Sequence, residues 1–325
     1  MRLIRGLYNL NKNSELSKGC VLTIGNFDGV HIGHQHILQR LKQQAKQLNV
    51  PSVVMLFEPH PREFFAQKFA KFDQNITASA PARLMRLRDK LHYLKQQQID
   101  FILCLRFNEK FASLQPQDFI SQLLVEKLKV KYLSIGDDFR FGQARQGNFE
   151  TLQQAGKTFN FIVEDSQSHC FEEQRVSSTL IREALHKDNL HLAEQLLGKP
   201  YSIRGRVVHG KKLGRTINFP TANIMLDRFV VPIHGVYAVN VNLNGQQLQG
   251  IANVGNRPTI NGTNALLEVH IFDFNQSIYG KSMEVIFLKK IRSEVKFSSF
   301  GNLKKQIQKD VKQVRKIFDS LNLKL

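Results

Sequence analysis

Thr23-Ile24-Gly25-Asn26-Phe27-Asp28-Gly29-Val30-His31-Ile32-Gly33-His34 decides how the first half of the chain folds. The apolar run Val21–Ile24 leading into it reads as a buried strand. Behind it, Ile37, Leu38, Leu41, Ala45 and Leu48 recur at helical spacing. A glycine-rich turn between strand and helix lets backbone approach a ligand closely. The helix start adds unpaired N–H groups and a positive dipole end, which together seat a phosphate. His31 and His34 are three residues apart, so at a helix start they share one face. Two imidazoles there can donate to phosphoryl oxygens as negative charge builds in a transition state.

Outward from this turn, short β-rich runs alternate with helical patterns. Ser52–Phe57, Phe101–Leu105, Tyr132–Ile135 and Phe161–Val163 read as further buried strands. His36–Leu48, Ala82–Lys95 and Asp118–Leu128 read as helices. Strand–helix alternation predicts a parallel sheet with helices on its faces. Past residue 200 the texture changes. Ile203–Val208, Gly235–Leu243, Gln249–Val254, Leu266–Phe272 and Met283–Leu288 are β-branched or alternating, and glycine turns punctuate them. Many short antiparallel strands predict a barrel. Phe300, Leu303, Ile307, Val311, Val314, Phe318 and Leu321 then space out one closing helix, with Ser298 or Ser299 as its cap. A helical stretch Leu180–Leu197 ends at Gly198, Lys199 and Pro200, so two domains are expected, residues 1–184 and 185–325.

Composition narrows the class. The chain has 325 residues and a net charge of +19. Its 42% hydrophobic content excludes a wholly disordered chain. No apolar run approaches the ~18 residues of a membrane helix, and Met1–Asn13 lacks a secretory core. Cys20, Cys104 and Cys170 fit neither a metal spacing nor a disulfide framework, so a reducing cytoplasm is the expected setting. Residues 1–200 hold 27 basic and 20 acidic side chains, against 19 and 7 in residues 201–325. Such charge points to anionic partners: nucleic acid, a phospholipid surface or small phosphorylated ligands.

A second phosphate-binding pattern follows in the same half. Arg175-Val176-Ser177-Ser178-Thr179-Leu180-Ile181-Arg182 offers hydroxyls at a helix start and an arginine one turn later. With His-Ile-Gly-His at 31–34, it resembles the two signatures of the nucleotidylyltransferases. Phe57-Glu58-Pro59-His60-Pro61 and Ile135-Gly136-Asp137-Asp138-Phe139-Arg140-Phe141-Gly142 end two strands, where open α/β sheets bind ligands. Together these segments resemble the FAD synthetase module of bacterial bifunctional flavin-forming enzymes. The resemblance implies a Rossmann-like fold. It implies that His31, His34 and Arg182 act in catalysis, and that Gly25, Phe27, Asp28, Gly33, Ser178 and Thr179 bind ATP. Phe57, Pro59, His60, Asp138 and Phe139 would line a flavin pocket.

Val208-His209-Gly210-Lys211-Lys212-Leu213-Gly214-Arg215-Thr216-Ile217-Asn218-Phe219-Pro220-Thr221-Ala222-Asn223-Ile224 opens the second half. Its glycine-rich basic part suits phosphates. On the extended part that follows, Thr221 and Asn223 point the same way, and their oxygens can hold Mg²⁺ against nucleotide phosphates. Glu268 and His270 share a strand face, and a carboxylate facing a phosphate site can take a proton from an attacking hydroxyl. These runs resemble the riboflavin kinase module. Asn218, where glycine is expected, and Ser277, where an acid is usual, depart from its pattern. The resemblance implies ATP contacts at Gly210, Lys211, Gly214 and Thr221, Mg²⁺ at Thr221 and Asn223, Glu268 as catalytic base, and flavin contacts at Arg292 and Phe297.

The two modules stand in the order of the bacterial bifunctional riboflavin kinase/FAD synthetase family. That family's reactions would be riboflavin and ATP to FMN and ADP, then FMN and ATP to FAD and pyrophosphate. A monomer or weak homo-oligomer without a membrane partner is expected. A nucleic-acid-binding reading would use Lys304, Lys305, Lys309, Lys312, Arg315 and Lys316 on the last helix, but no groove-reading motif or stacking platform accompanies them. A nucleotidylyltransferase for another metabolite would not need the second phosphate site.

Overall fold

The computed structural model describes residues 1–12, 14–72, 80–166, 170–171, 174–210, 214, 219–226, 231–259 and 262–322. The chain divides into two compact units. One comprises Met1–Pro81 and Met85–Ser178, the other Ala82–Leu84 and Thr179–Leu325.

The first unit is built on strands β1 (Arg2–Arg5), β2 (Cys20–Ile24), β3 (Ser52–Glu58), β4 (Phe101–Arg106), β5 (Val130–Ile135) and β6 (Ile162–Asp165). They form one parallel sheet in the order β1-β4-β3-β2-β5-β6. Helices α1 (Ile32–Leu48), α2 (Pro61–Phe72), α3 (Leu87–Gln96), α4 (Glu109–Ala112), α5 (Pro116–Asp118) and α6 (Phe149–Phe159) connect them, and α5 runs into a π-helical stretch, Phe119–Lys127. β2 is buried along its whole length, as a central parallel strand must be. Its side chains alternate between two apolar clusters. Val21 joins Leu38, Leu41 and Leu94, while Leu22 joins Phe119, Leu123 and Leu152. Leu38 and Leu41 are fully buried, and each such side chain contributes roughly 1.5–3 kcal/mol.

The parallel sheet and the helices on it match the expected α/β class. Three local expectations change. The earliest strand expected, at Val21–Ile24, is preceded by another, because Arg2–Arg5 pairs with β4 at the sheet edge. Its two arginines hide it from a hydrophobicity reading. The helix expected at Ala82–Lys95 starts at Leu87, with Arg86 extended as its N-cap. The helix expected at Leu180–Leu197 is two helices, α7 (Ser178–His186) and α8 (Leu190–Leu197). Asp188 takes φ 58° between them, and the Asn189 side chain accepts the Leu192 N–H to start α8. Asp and Asn favour such breaks because their short polar side chains bond local backbone. A two-strand ladder, β7 (Cys170–Phe171) with β8 (Gln174–Arg175), precedes α7.

The second unit holds β9 (Ser202–Val208), β10 (Ala222–Met225), β11 (Gly235–Leu243), β12 (Gln246–Thr259), β13 (Gly262–Ile271) and β14 (Ser282–Arg292). They close as an antiparallel barrel in the order β10-β13-β12-β11-β14-β9. The interior holds Tyr237, Val239, Val241, Ala252, Val254, Leu267 and Val269, all nearly or fully buried. The opposite side of the wall carries Val236, Ala238 and Ile251, against which Val314 and Phe318 of the last helix, α9 (Phe300–Asn322), pack. Ser299 caps α9 as expected, its Oγ accepting the Asn302 N–H at 3.2 Å.

Candidate active sites

In the first unit, the chain runs from β2 outward through β3 to β4 and returns through β5 on the other side. The carboxyl ends of β2 and β5 therefore flank a topological switch point, where open α/β sheets bind ligands. The turn leaving β2 is tightly held. Phe27 and Val30 adopt φ 46° and 44° while 2% and 1% exposed. For a β-branched residue this is a strained conformation, sustained only because the surroundings over-determine it. Asp28 is buried beneath the turn. Its Oδ1 accepts the Met85 N–H at 3.0 Å, and its carbonyl accepts the Ser178 hydroxyl at 2.8 Å. Ser178 thereby ties the second signature to the first.

His31 is the N-cap of α1, its Nδ1 accepting the His34 N–H at 3.3 Å. An accepting Nδ1 places the neutral ring's proton on Nε2. The two imidazoles stack, with centroids 3.6 Å apart and planes 21° apart. A Cβ on Gly33 would stand 3.2 Å from His31 Nδ1, so glycine between the histidines is what gives the first ring its room. Burial, then the neighbouring His31 and Lys90, hold the His34 pKa well below the usual 6.5. His34 Nδ1 is shielded from solvent without a hydrogen-bond partner among the described residues. The pair is thus a neutral donor surface at a helix N-terminus. Thr179 and Arg182 stand on α7 in the second unit, where Arg182 Nε donates to the Ala82 carbonyl at 2.5 Å.

A cavity of about 1100 Å³ begins at Ile24, Gly25 and Asn26 and extends past Gly136, Asp138 and Phe139. Phe57 and His60 line it; Pro59 does not. Its deeper wall was not foreseen. Phe57 contacts Phe107 edge-on at 5.8 Å and Phe111 at 5.2 Å, while Phe64 and Phe65 also lean on Phe107. Phe107 follows the end of β4, so the strand-end rule used for Phe57 would have found it. Phe64 and Phe65 belong to α2, an element absent from the expected pattern.

In the second unit, one rung of the barrel wall gathers the kinase-type residues. Asn223 on β10 faces Glu268 on β13, which faces Asn253 on β12. Val236 and Arg292 continue the rung. Thr221 lies two residues before Asn223, just ahead of β10. The Asn223 side chain is buried, and its Oδ1 has no hydrogen-bond partner among the described residues. A Cβ on Gly210 would collide with the Asn223 amide, which explains glycine there. His209 stacks on Tyr279 with centroids 3.8 Å apart. Lys211 and Asn218 lie outside the described residues.

Two cavities meet at Thr221. One, about 550 Å³, runs along Pro220, Thr221, Ala222 and Phe274–Tyr279, Ser277 included. The other, about 350 Å³, is lined by Gly214, Thr221, Asn253, Glu268, Arg292 and Phe297, with α9 as one wall. The first is a trough beside the Thr-Ala-Asn segment. The second puts a carboxylate at the edge of an apolar slot. Burial pushes the Cys20 thiol up to about 12, so it stays protonated and takes no part in such chemistry.

Residues 13–180 match the FAD synthetase family model and residues 197–318 the riboflavin kinase model. The bifunctional riboflavin kinase/FMN adenylyltransferase of Haemophilus influenzae is 57% identical over 321 residues, covering 98% of this chain and 100% of that protein. The Escherichia coli protein of the same name is 51% identical over 319 residues, 98% of each chain. A crystal structure described as a macrolide-efflux protein from Streptococcus pneumoniae has a TM-score of 0.76 and 31% identity, over 97% of this chain and 99% of that one. Among the described residues, no helix of this chain is long and apolar enough to cross a membrane. Two family models in tandem, and relatives similar from end to end, establish that the chain belongs to the bifunctional riboflavin kinase/FMN adenylyltransferase family.

Proposed function

We propose that residues 185–325 phosphorylate riboflavin to FMN, and that residues 1–184 join FMN to the adenylyl group of ATP, giving FAD and pyrophosphate. The observation that carries the kinase half is the rung Asn223–Glu268, with Thr221 beside it and Arg292 and Phe297 in the same cavity. Riboflavin attacks through an uncharged alcohol, which must lose its proton. Glu268 is the base that takes it, and the slot against α9 holds the ring system near Arg292 and Phe297. The nucleotide occupies the trough beside Thr221, with Gly210, Lys211 and Gly214 around its phosphates. The donor set fits a hard divalent cation, since Asn223 Oδ1 is a buried oxygen without a partner among the described residues and Thr221, two residues earlier, carries a second oxygen. Mg²⁺ held there would neutralise phosphate charge and align the groups.

The adenylyl site has different needs. FMN attacks through a phosphate already largely ionised near pH 7, so no base is required. His31 and His34 donate hydrogen bonds, and the α1 N-terminus adds its dipole. Gly25 and Gly33 keep the backbone close, and Phe27 and Asp28 brace the turn from inside. Ser178, held against the turn through the Asp28 carbonyl, stands by the remaining phosphate oxygens. Phe57, His60, Asp138 and Phe139 shape the flavin end, and Pro59 lies behind them, off the cavity. We assign this work to the cytoplasm, as a monomer or weak homo-oligomer and without nucleic acid. Incubation with riboflavin, ATP and Mg²⁺, followed by separation of the flavins, tests the reading. FMN and then FAD are expected; unchanged riboflavin overturns it, and omitting the divalent cation should stop both steps.

A further inference from the structure

The last helix carries most of its charge outward, but one acid lies on its buried stripe. Asp310 stands three residues after Ile307 and four before Val314, at core positions of α9, and is 2% exposed. A carboxylate that deep requires partners. The described partners are Arg292, whose Nε donates to Oδ2 at 2.8 Å, and Gln306, whose Nε2 donates to Oδ1 at 2.8 Å. Arg292 is the last residue of β14 and closes the rung that holds Glu268. Its Nη1 donates to the Ser293 carbonyl at 2.9 Å, and its guanidinium lies 5.7 Å from the centre of the Phe297 ring. The guanidinium plane is therefore fixed on two edges and one face. Among the described residues, Nη2 is the nitrogen left for a ligand in the cavity, which Arg292, Phe297 and Asp310 all line.

We infer that Asp310 is a positioning residue for riboflavin binding, acting through Arg292. This rests on the kinase reading above and extends it to α9. Riboflavin presents carbonyl and ring-nitrogen acceptors at one end and hydroxyls at the other. A guanidinium held in one plane meets such an acceptor with less ordering cost than a free arginine. α9 is then a wall of the substrate site, and its Gln306–Asp310–Arg292 relay converts helix docking into the aim of one donor nitrogen.

The test uses the full chain with riboflavin, ATP and Mg²⁺, and measures adenylylation of supplied FMN in the same preparation. Asp310→Asn should raise KM for riboflavin about tenfold, as loss of a charge-assisted hydrogen bond does. It should move kcat by less than about twofold and leave adenylylation unchanged. In an Arg292→Gln background the same substitution should add nothing, because its route of action is gone. An unchanged riboflavin KM, or an equal loss in both backgrounds, overturns the inference. If Asp310→Asn lowers the melting temperature markedly, Gln306→Ala replaces it. A rise in KM of about two- to threefold, absent in the Arg292→Gln background, supports the relay, and no rise overturns it. A wild-type chain that fails to phosphorylate riboflavin removes the kinase reading before any variant is made.

Discussion

The two units handle phosphate by opposite constructions. In the first, the core of the candidate site is local in sequence. A strand end, a strained turn and the first residues of α1 lie within Thr23–His34, and the electrostatics come from the helix start and two stacked neutral imidazoles. In the second, the site is local only in space. Asn223, Asn253, Glu268 and Arg292 come from four strands and meet because the barrel register aligns them. A helix N-terminus supplies donors but no base, which suits a substrate already ionised. A strand rung can set a carboxylate beside oxygen donors, which suits an alcohol. The fold element thus matches the protonation state of the nucleophile.

The comparison breaks if the sites are not separable. Glu268→Gln should lower riboflavin phosphorylation by about 10³-fold and leave FMN adenylylation intact, measured by flavin chromatography. His34→Ala should do the reverse, cutting adenylylation about 10²–10³-fold while kinase activity survives. Loss of the kinase in His34→Ala would invert the assignment. Gly210→Ala should be milder, because the added Cβ displaces the Asn223 amide without removing it. A kinase loss of about 10- to 10²-fold is expected from such misplacement.

Two smaller effects sharpen the contrast. His34 is held below its ordinary pKa of 6.5 by burial, so above pH 6.5 it is neutral in folded and unfolded chains alike and contributes nothing. Below 6.5 the unfolded chain binds the proton and the folded one does not, so stability of the first unit falls as pH drops towards the folded value. His34→Gln should flatten that slope in urea titrations from pH 7 to 5. Ser299→Ala should cost the second unit about 1 kcal/mol, read by thermal melting, through loss of the α9 cap.

What was legible in the chain follows the same division. His31, Gly33 and His34 could be read because their geometry is fixed within one turn. Thr221 and Asn223 stand two apart on one extended run, so alternation alone suggests their relation. The Asn253–Glu268 pairing was not readable, since register depends on how long β12 and β13 run past their apolar cores. Both extend several residues beyond the expected spans. Arg2–Arg5 escaped because an edge strand needs only one buried residue, Ile4. α2 escaped because its phenylalanines line a cavity rather than a core stripe. Asp310 was hidden among the charges of α9, although its position relative to Ile307 and Val314 marks it as misplaced on an apolar stripe.

Barrel closure also limits how such a gene can drift. Loss of one codon within β13 would bring Leu267 or Val269, both fully buried, to the rung opposite Asn223 and turn Glu268 into the interior. With no free edge, the error could not be absorbed by sliding one strand outward. Insertions and deletions are therefore restricted to turns such as Asn244-Gly245, where φ values of 51° and 85° join β11 to β12 without touching the register of the Asn223–Glu268 row.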